Sequence, residues 1–346
     1  IRKPAIYEKT DIHFNLGVRV ESIDRVTKQL VLDNGESIHY DKLALTLGSR
    51  ARRLPIPGGE LPGVFYLRTI RDVEQIRGYV GGNKKVVIVG GGYIGLETAA
   101  VLNQLGMQVT VLEMMPRVLQ RVTAPEISSF YTRLHREEGV EIRTHMAVQA
   151  IAGADAVERV ICSDGTELDA DLVIIGAGIL PNTELAEAAG LEVGNGIRVD
   201  LFARTNDPDI VAAGDCTCHY STIYDREIRL ESVQNAVDQA KIAAATICGN
   251  EKPYHSLPWF WSDQYDVKLQ IAGLSQDYDE VVIRGDIEHS RSFAVFYFKE
   301  EVLISVDAVN RPQAFMLGKR LIAGSVKVDK NKLADDSVPM NTIVQI

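Results

Sequence analysis

The chain runs to 346 residues, a length that predicts two or three lobes of about 100 to 150 residues, each burying its own core. Charged side chains make up 24% and apolar ones 46%, an ordinary globular balance, while 37 basic against 47 acidic residues leave a formal charge of −10 and argue against nucleic acid as a partner. No apolar run reaches the roughly 18 residues of a membrane span and the opening IRKPAIYEKT lacks the apolar stretch of a signal peptide, so no membrane contact is expected and the chain reads as cytoplasmic.

In chain order, residues 18–48 read as three short polar-flanked strands followed by a buried one. Next comes VVIVGGGYIGLETAAVLNQLGMQVTVLE, Val86 to Glu113: a β-branched strand, a glycine turn, a helix closed by Gly106, and a second buried strand. Each glycine of Gly90-x-Gly92-x-x-Gly95 has a task. Gly90 permits the tight turn, Gly92 lets a pyrophosphate approach backbone N–H groups, and Gly95 lets the helix pack close to the strand. Glu113, at the tip of the second strand, stands where an acid binds a ribose 2′-hydroxyl and repels a 2′-phosphate, which favours NADH over NADPH.

Residues 148–178 repeat the pattern of 18–48. Laying DNGESIHYDKLALTLG over SDGTELDADLVIIGAG pairs Gly35 with Gly165, Asp41 with Asp171 and Gly48 with Gly178, each at an offset of 130. Because the second copy follows a glycine turn, the first should own one too, about forty residues before Ile1 or further. The expectation is therefore a first nucleotide-binding unit missing from the front of this chain. Two unrelated meanders are the alternative. Further on, the short strand DIVAAG ends at Asp215 and is followed after a loop by the helix LESVQNAVDQAKIAAATICG, an arrangement able to meet sugar or ribityl hydroxyls and a pyrophosphate or flavin.

Cys162, Cys216, Cys218 and Cys248 lack zinc or thioredoxin-like spacing, the histidines show no ligand spacing, and no metal is expected. Cys216 and Cys218 form a redox pair only in principle, since residues two apart on a strand seldom meet disulfide geometry.

With the glycine fingerprint, the duplicated block and AAGD in this order, the sequence resembles the flavoproteins of the pyridine-nucleotide oxidoreductase group. Within it, the chain is most similar to bacterial ferredoxin reductases of the putidaredoxin reductase and aromatic-dioxygenase reductase type. YDKLALTLGSRARRLP, VVIVGGGYIGLE, LESVQNA, PWFWSDQYDVKLQIAGL and VDAVNRPQAFMLGKRLI carry the likeness, which covers residues from about 10 to 330.

The resemblance implies an α/β fold with two Rossmann-like three-layer nucleotide-binding lobes, the FAD lobe incomplete, and a C-terminal α/β lobe. It divides the chain into a partial FAD-binding lobe (1–70), an NAD-binding lobe (71–190), a return to the FAD lobe (191–252) and a C-terminal reductase lobe (253–346). Arg52 resembles an arginine that contacts FAD phosphate or adenosine, Asp215 the aspartate bonding the ribityl chain, and Val233 a residue whose backbone approaches the flavin pyrimidine edge. Trp261 resembles the aromatic residue near the flavin ring. Gly90, Gly92, Ile94, Gly95, Glu113 and Gly178 resemble positions around NADH, and Glu97 the acid near the nicotinamide end. Leu47 departs from the family, which usually places threonine there.

The implied activity is hydride transfer from NADH to FAD, followed by single-electron transfers to a small [2Fe–2S] ferredoxin or a rubredoxin serving an oxygenase, in a monomer or weak dimer. Lys241 resembles a basic docking position for an acidic ferredoxin, with Arg226, Arg229 and Lys319 as weaker candidates. The rival readings are an NADH oxidase or disulfide-reductase-like flavoenzyme, which relies on an early cysteine, and a redox-sensitive binding flavoprotein of the apoptosis-inducing type.

Overall fold

The duplicated block folds into the same antiparallel meander twice. The first copy comprises strands Val20–Asp24, Gln29–Leu32 and Ser37–His39, and the second Val148–Ala152, Arg159–Cys162 and Glu167–Asp169. Gln29 faces His39 as Arg159 faces Asp169, and the Gly35 N–H closes on the Leu32 carbonyl as Gly165 closes on Cys162, all at the offset of 130. Both turn glycines have positive φ, +83° and +87°, where a side chain is strained. Even the defect is copied: the register slips between Val20 and Ser22 and again between Val148 and Ala150. There the offset is 128, because the first hairpin loop is 25–28 in one copy and the longer 153–158 in the other.

The computed structural model describes residues 7, 9–324 and 326–343. Its chain divides into two units, the first holding the described residues of Ile1–Gly48, Pro181–Glu231 and Asn235–His255, and the second those of Ser49–Leu180, Ser232–Gln234 and Ser256–Ile346.

In the first unit, the meander leads into Leu43–Leu45, which pairs in parallel with Ile210–Ala212. Its core gathers Ile23, Leu45, Leu191, Ile197, Ile210 and Cys216. In a four-stranded sheet, ordered Val193–Gly194, Gly196–Val199, Thr217–Ser221 and Arg226–Ile228, the Gly214–Asp215 turn leads into the inner strand Thr217–Ser221.

In the second unit, a parallel sheet runs in the order Val64–Phe65, Leu172–Ile175, Lys85–Val89, Gln108–Leu112 and Glu141–Arg143. Its central strands are continuous apolar runs, as a sheet covered on both faces requires. The C-terminal residues form an antiparallel sheet ordered Trp259–Gln264, Val267–Gly273, Val302–Val309, Phe293–Lys299 and Glu280–Arg284. FAVFYF in its fourth strand is buried on both sides. Phe293, Val295 and Tyr297 join the core of the parallel-sheet lobe, whereas Ala294, Phe296 and Phe298 pack with Phe315, Leu317 and Leu321 of helix Pro312–Gly324. The whole is the mixed α/β architecture expected from the sequence, the C-terminal lobe being an antiparallel sheet with its helix on one face.

Candidate functional site

The glycine turn is shaped by sterics at each expected position. Gly90 has φ +110°, and a Cβ there would lie 2.5 Å from the Gly176 carbonyl oxygen. A Cβ on Gly95 would lie 2.0 Å from the Gly90 carbonyl oxygen, so helix Tyr93–Gln104 seats on the turn only with glycine there. Gly92 is different: its Cα opens on free space, and as the helix N-cap it offers no side chain to the first-turn N–H groups. Those donors are left for an anion, and the helix dipole favours one there. The turn therefore fits a dinucleotide pyrophosphate. Ile94, half exposed, follows in the first helical turn.

Glu113 reaches back across this turn. Its Oε2 accepts the Gly91 N–H at 2.7 Å and its Oε1 the Met115 N–H at 2.8 Å. Gly91, which the fingerprint leaves as a free position, is needed for this approach: a Cβ there would fall 2.9 Å from Val118 Cγ1 and 3.2 Å from Glu113 Cβ. The acid is thus locked in orientation through both of its oxygens.

Glu97 lies one helical turn into the same helix. Burial pushes its pKa up, and a hydrogen bond from Ser262 Oγ to Oε1 (2.5 Å) pulls the other way. Ser262 and Gln264 are fully buried on strand Trp259–Gln264, while Trp261, just before them, points to the opposite face and stays 42% exposed. The neighbouring Trp259 ring stacks near Trp261 at 5.8 Å between centroids and carries the Lys319 ammonium over its face. Gly178, with φ +92°, accepts the Arg52 N–H at 2.9 Å through its carbonyl, so these two expected positions are joined through the backbone. Val233 is exposed at the start of helix Val233–Ile247.

In the first unit, Asp215 follows Gly214, whose φ of +89° turns the chain after Ile210–Ala212. Gln239 fixes this turn, its Oε1 accepting from the Gly214 N–H (2.8 Å) and from Thr217 Oγ1 (2.9 Å). Sequence reasoning passed over Gln239; its signal is the i, i+4 spacing with Asn235, which is buried on the same helical face and donates to Gln239 Oε1 at 3.3 Å. Cys216 and Cys218 are buried free thiols, and burial raises both, Cys218 to about 11, so neither is a ready nucleophile. Lys241 is well exposed, 3.3 Å from Asp238 one turn away. Among the described residues no helix is long and apolar enough to cross a membrane.

An open glycine turn, an acid pinned across it and a duplicated β-meander define a nucleotide-dependent oxidoreductase of the kind that carries two related nucleotide-binding lobes. The chain belongs to the pyridine nucleotide-disulphide oxidoreductase family, whose model matches residues 4–240, and a reductase C-terminal model matches 259–344, opening at Trp259. It is 44% identical to putidaredoxin reductase CamA of Pseudomonas putida, over 99% of this chain and 83% of that protein. It is 36% identical to a rubredoxin-NAD(+) reductase of Pseudomonas putida, over 95% and 84% respectively. The crystal structure of the covalent putidaredoxin reductase–putidaredoxin complex matches with a TM-score of 0.96, 44% identity, and coverage of 99% of this chain and 83% of that one.

Proposed function

We propose that the protein takes a hydride from NADH onto bound FAD and passes the electrons singly to a small [2Fe–2S] ferredoxin that feeds an oxygenase. The carrying observation is the strand that opens the reductase C-terminal lobe and hydrogen-bonds, through Ser262, to Glu97 on the glycine-turn helix. The chemistry of the named relatives supports the same reading.

FAD, when bound, supplies the exchange between two-electron and one-electron transfer. The protein's share is binding, orientation and shielding. On the NADH side, the N–H groups at the start of helix Tyr93–Gln104 hold the pyrophosphate beside Gly90, Gly92 and Ile94. Glu113 accepts from the ribose hydroxyls, Gly178 leaves room beside the ring, and Glu97 accepts from the nicotinamide amide. On the FAD side we assign Arg52 to the phosphate or adenosine, Asp215 to the ribityl chain, Val233 to the pyrimidine edge and Trp261 to the flavin ring. The lobes follow the sequence division: 1–70 and 191–252 for FAD, 71–190 for NADH, 253–346 for the reductase domain. Lys241 is the basic docking point assigned for an acidic ferredoxin, with Arg226, Arg229 and Lys319 as weaker candidates, despite the formal charge of −10. We place the protein in the cytoplasm, as a monomer or weak dimer.

The test is to load the protein with FAD, add NADH without oxygen, follow flavin bleaching, and then measure cytochrome c reduction with and without a [2Fe–2S] ferredoxin. Bleaching followed by ferredoxin-stimulated reduction is expected. Bleaching with no stimulation, together with rapid oxygen consumption, would replace this reading with an oxidase.

A further inference from the structure

The hydrogen bond to Glu97 is the end of a longer series. Gln264 Nε2 donates to Ser262 Oγ at 3.0 Å, and Gln264 Oε1 lies 2.8 Å from His135 Nε2. An amide oxygen only accepts, so His135 carries its proton on Nε2, which frees Nδ1 to accept from Tyr265 Oη at 3.4 Å. Every donor in the series Tyr265, His135, Gln264, Ser262 therefore points toward Glu97. The amide of Gln264 has no labile proton to hand on, so the series orients rather than conducts.

Ser262, Gln264 and His135 are 0%, 1% and 0% exposed, and they come from a strand and from helix Pro125–Glu137, the partner of neither glycine nor ligand in the fingerprint. Three such groups in a core cost more than apolar residues of the same size unless all are satisfied, and here they are satisfied in one direction only. We propose that Ser262, Gln264 and His135 are positioning residues whose aligned hydrogen bonds aim the Glu97 carboxylate, as a fixed acceptor, at the nicotinamide end of bound NADH. The proposal rests on the role given above to Glu97.

The surroundings set the sign of the expected effect. Asp263 on the same strand raises the Glu97 pKa by its charge, and the buried Tyr93 and Tyr131 hydroxyls interact with Glu97 electrostatically beside the buried Asp307. His135 faces Gln264, Tyr265 and Glu138, and burial lowers its pKa, keeping the ring neutral. Removing the Ser262 hydroxyl takes away the larger of the two hydrogen bonds that oppose the burial of Glu97, the other coming from the Asp263 backbone, so its proton is held to higher pH.

The experiment measures the dissociation constant of 1,4,5,6-tetrahydro-NADH, which cannot give up hydride, on the FAD-loaded protein by calorimetry across pH. In the wild type, binding tightens as pH rises through the Glu97 ionisation. Ser262→Ala should move that midpoint up by about one pH unit, which is about tenfold weaker binding below it. Gln264→Met should move it the same way by less, and Glu97→Gln should flatten the profile. Histidine-labelled ¹⁵N spectra of the wild type should show His135 as the neutral Nε2–H tautomer. An unmoved midpoint in Ser262→Ala beside a flat Glu97→Gln profile, or an Nδ1–H tautomer, overturns the array while leaving Glu97 its role. A Glu97→Gln profile identical to wild type overturns the Glu97 reading and the array with it.

Discussion

Asp307 stands at the centre of the C-terminal sheet, fully buried, opposite Val295 and Ile271 on the neighbouring strands and facing the core those residues share with the glycine-turn lobe. Tyr297 Oη donates to Oδ2 at 2.5 Å, whereas Oδ1 has no hydrogen-bond partner among the described residues, and neither do the buried hydroxyls of Tyr93 and Tyr131. Burial raises the carboxyl from its ordinary 3.8 to about 7, against the pull of the Tyr297 hydrogen bond. The folded state thus holds a proton that the unfolded chain releases. The stability this gives is complete below pH 3.8 and is lost as pH climbs to about 7. At 1.36 kcal/mol per pH unit the full loss is about 4 kcal/mol, of which about 3 kcal/mol falls between pH 5 and pH 8. Asp307→Asn keeps the shape and has no proton to lose. The assay is native-state hydrogen exchange of the amides in Phe293–Lys299 and Val302–Val309 at both pH values, corrected for intrinsic exchange. The wild-type opening free energy should fall between them by about 3 kcal/mol more than that of the variant. Any constant penalty of the substitution cancels in this comparison. Parallel profiles would show that Asp307 is ionised in the folded core and refute the reasoning.

Three further outcomes follow from the turn and its supports. Gly95→Ala places a Cβ 2.0 Å from the Gly90 carbonyl oxygen, so it should cost about 2–3 kcal/mol in urea unfolding and weaken NADH binding with it, while Gly92→Ala, whose Cβ meets open space, should unfold like wild type and lose nucleotide affinity alone. Glu113→Ala removes the acceptor of the Gly91 and Met115 N–H groups; paired titrations should show NADH binding weakened about tenfold with NADPH little changed. Gln239→Leu strands the Gly214 N–H in a buried place and leaves the Thr217 hydroxyl only the Gly214 carbonyl, so a loss of about 1–3 kcal/mol in the first unit's unfolding is expected, with weaker FAD retention.

What was legible in the sequence was what the backbone dictates locally. A glycine forced to φ +110° beside an apolar strand, or one whose Cβ would meet a carbonyl, leaves the same mark in any chain, and so Gly90, Gly95 and the repeated turn glycines could be read directly. The meander register was legible from its repetition, but only downstream of the first hairpin; the two-residue difference between loops 25–28 and 153–158 sits where no glycine marks it. The FAD-side assignments came from resemblance alone, since Asp215 by itself is one more acid after a strand.

The strand Trp259–Gln264 shows why the rest stayed hidden. Hydrophobicity on a half-buried strand would turn the tryptophans inward and the serine and glutamine outward. The structure does the reverse for its second half, exposing Trp261 and burying Ser262 and Gln264. The reversal is possible because each polar group meets its partner on another element, Glu97 and His135, which lie far away in the chain. Asp307 is the same case: it interrupts the apolar strand VLISVDAV, yet its donor Tyr297 is across a hairpin, and its hydroxyl neighbours Tyr93 and Tyr131 belong to two helices of the glycine-turn lobe. A buried polar residue is tolerated only by virtue of such distant partners. A local pattern can therefore point to a glycine turn, while the buried groups that hydrogen-bond to Glu97 are specified by the tertiary fold.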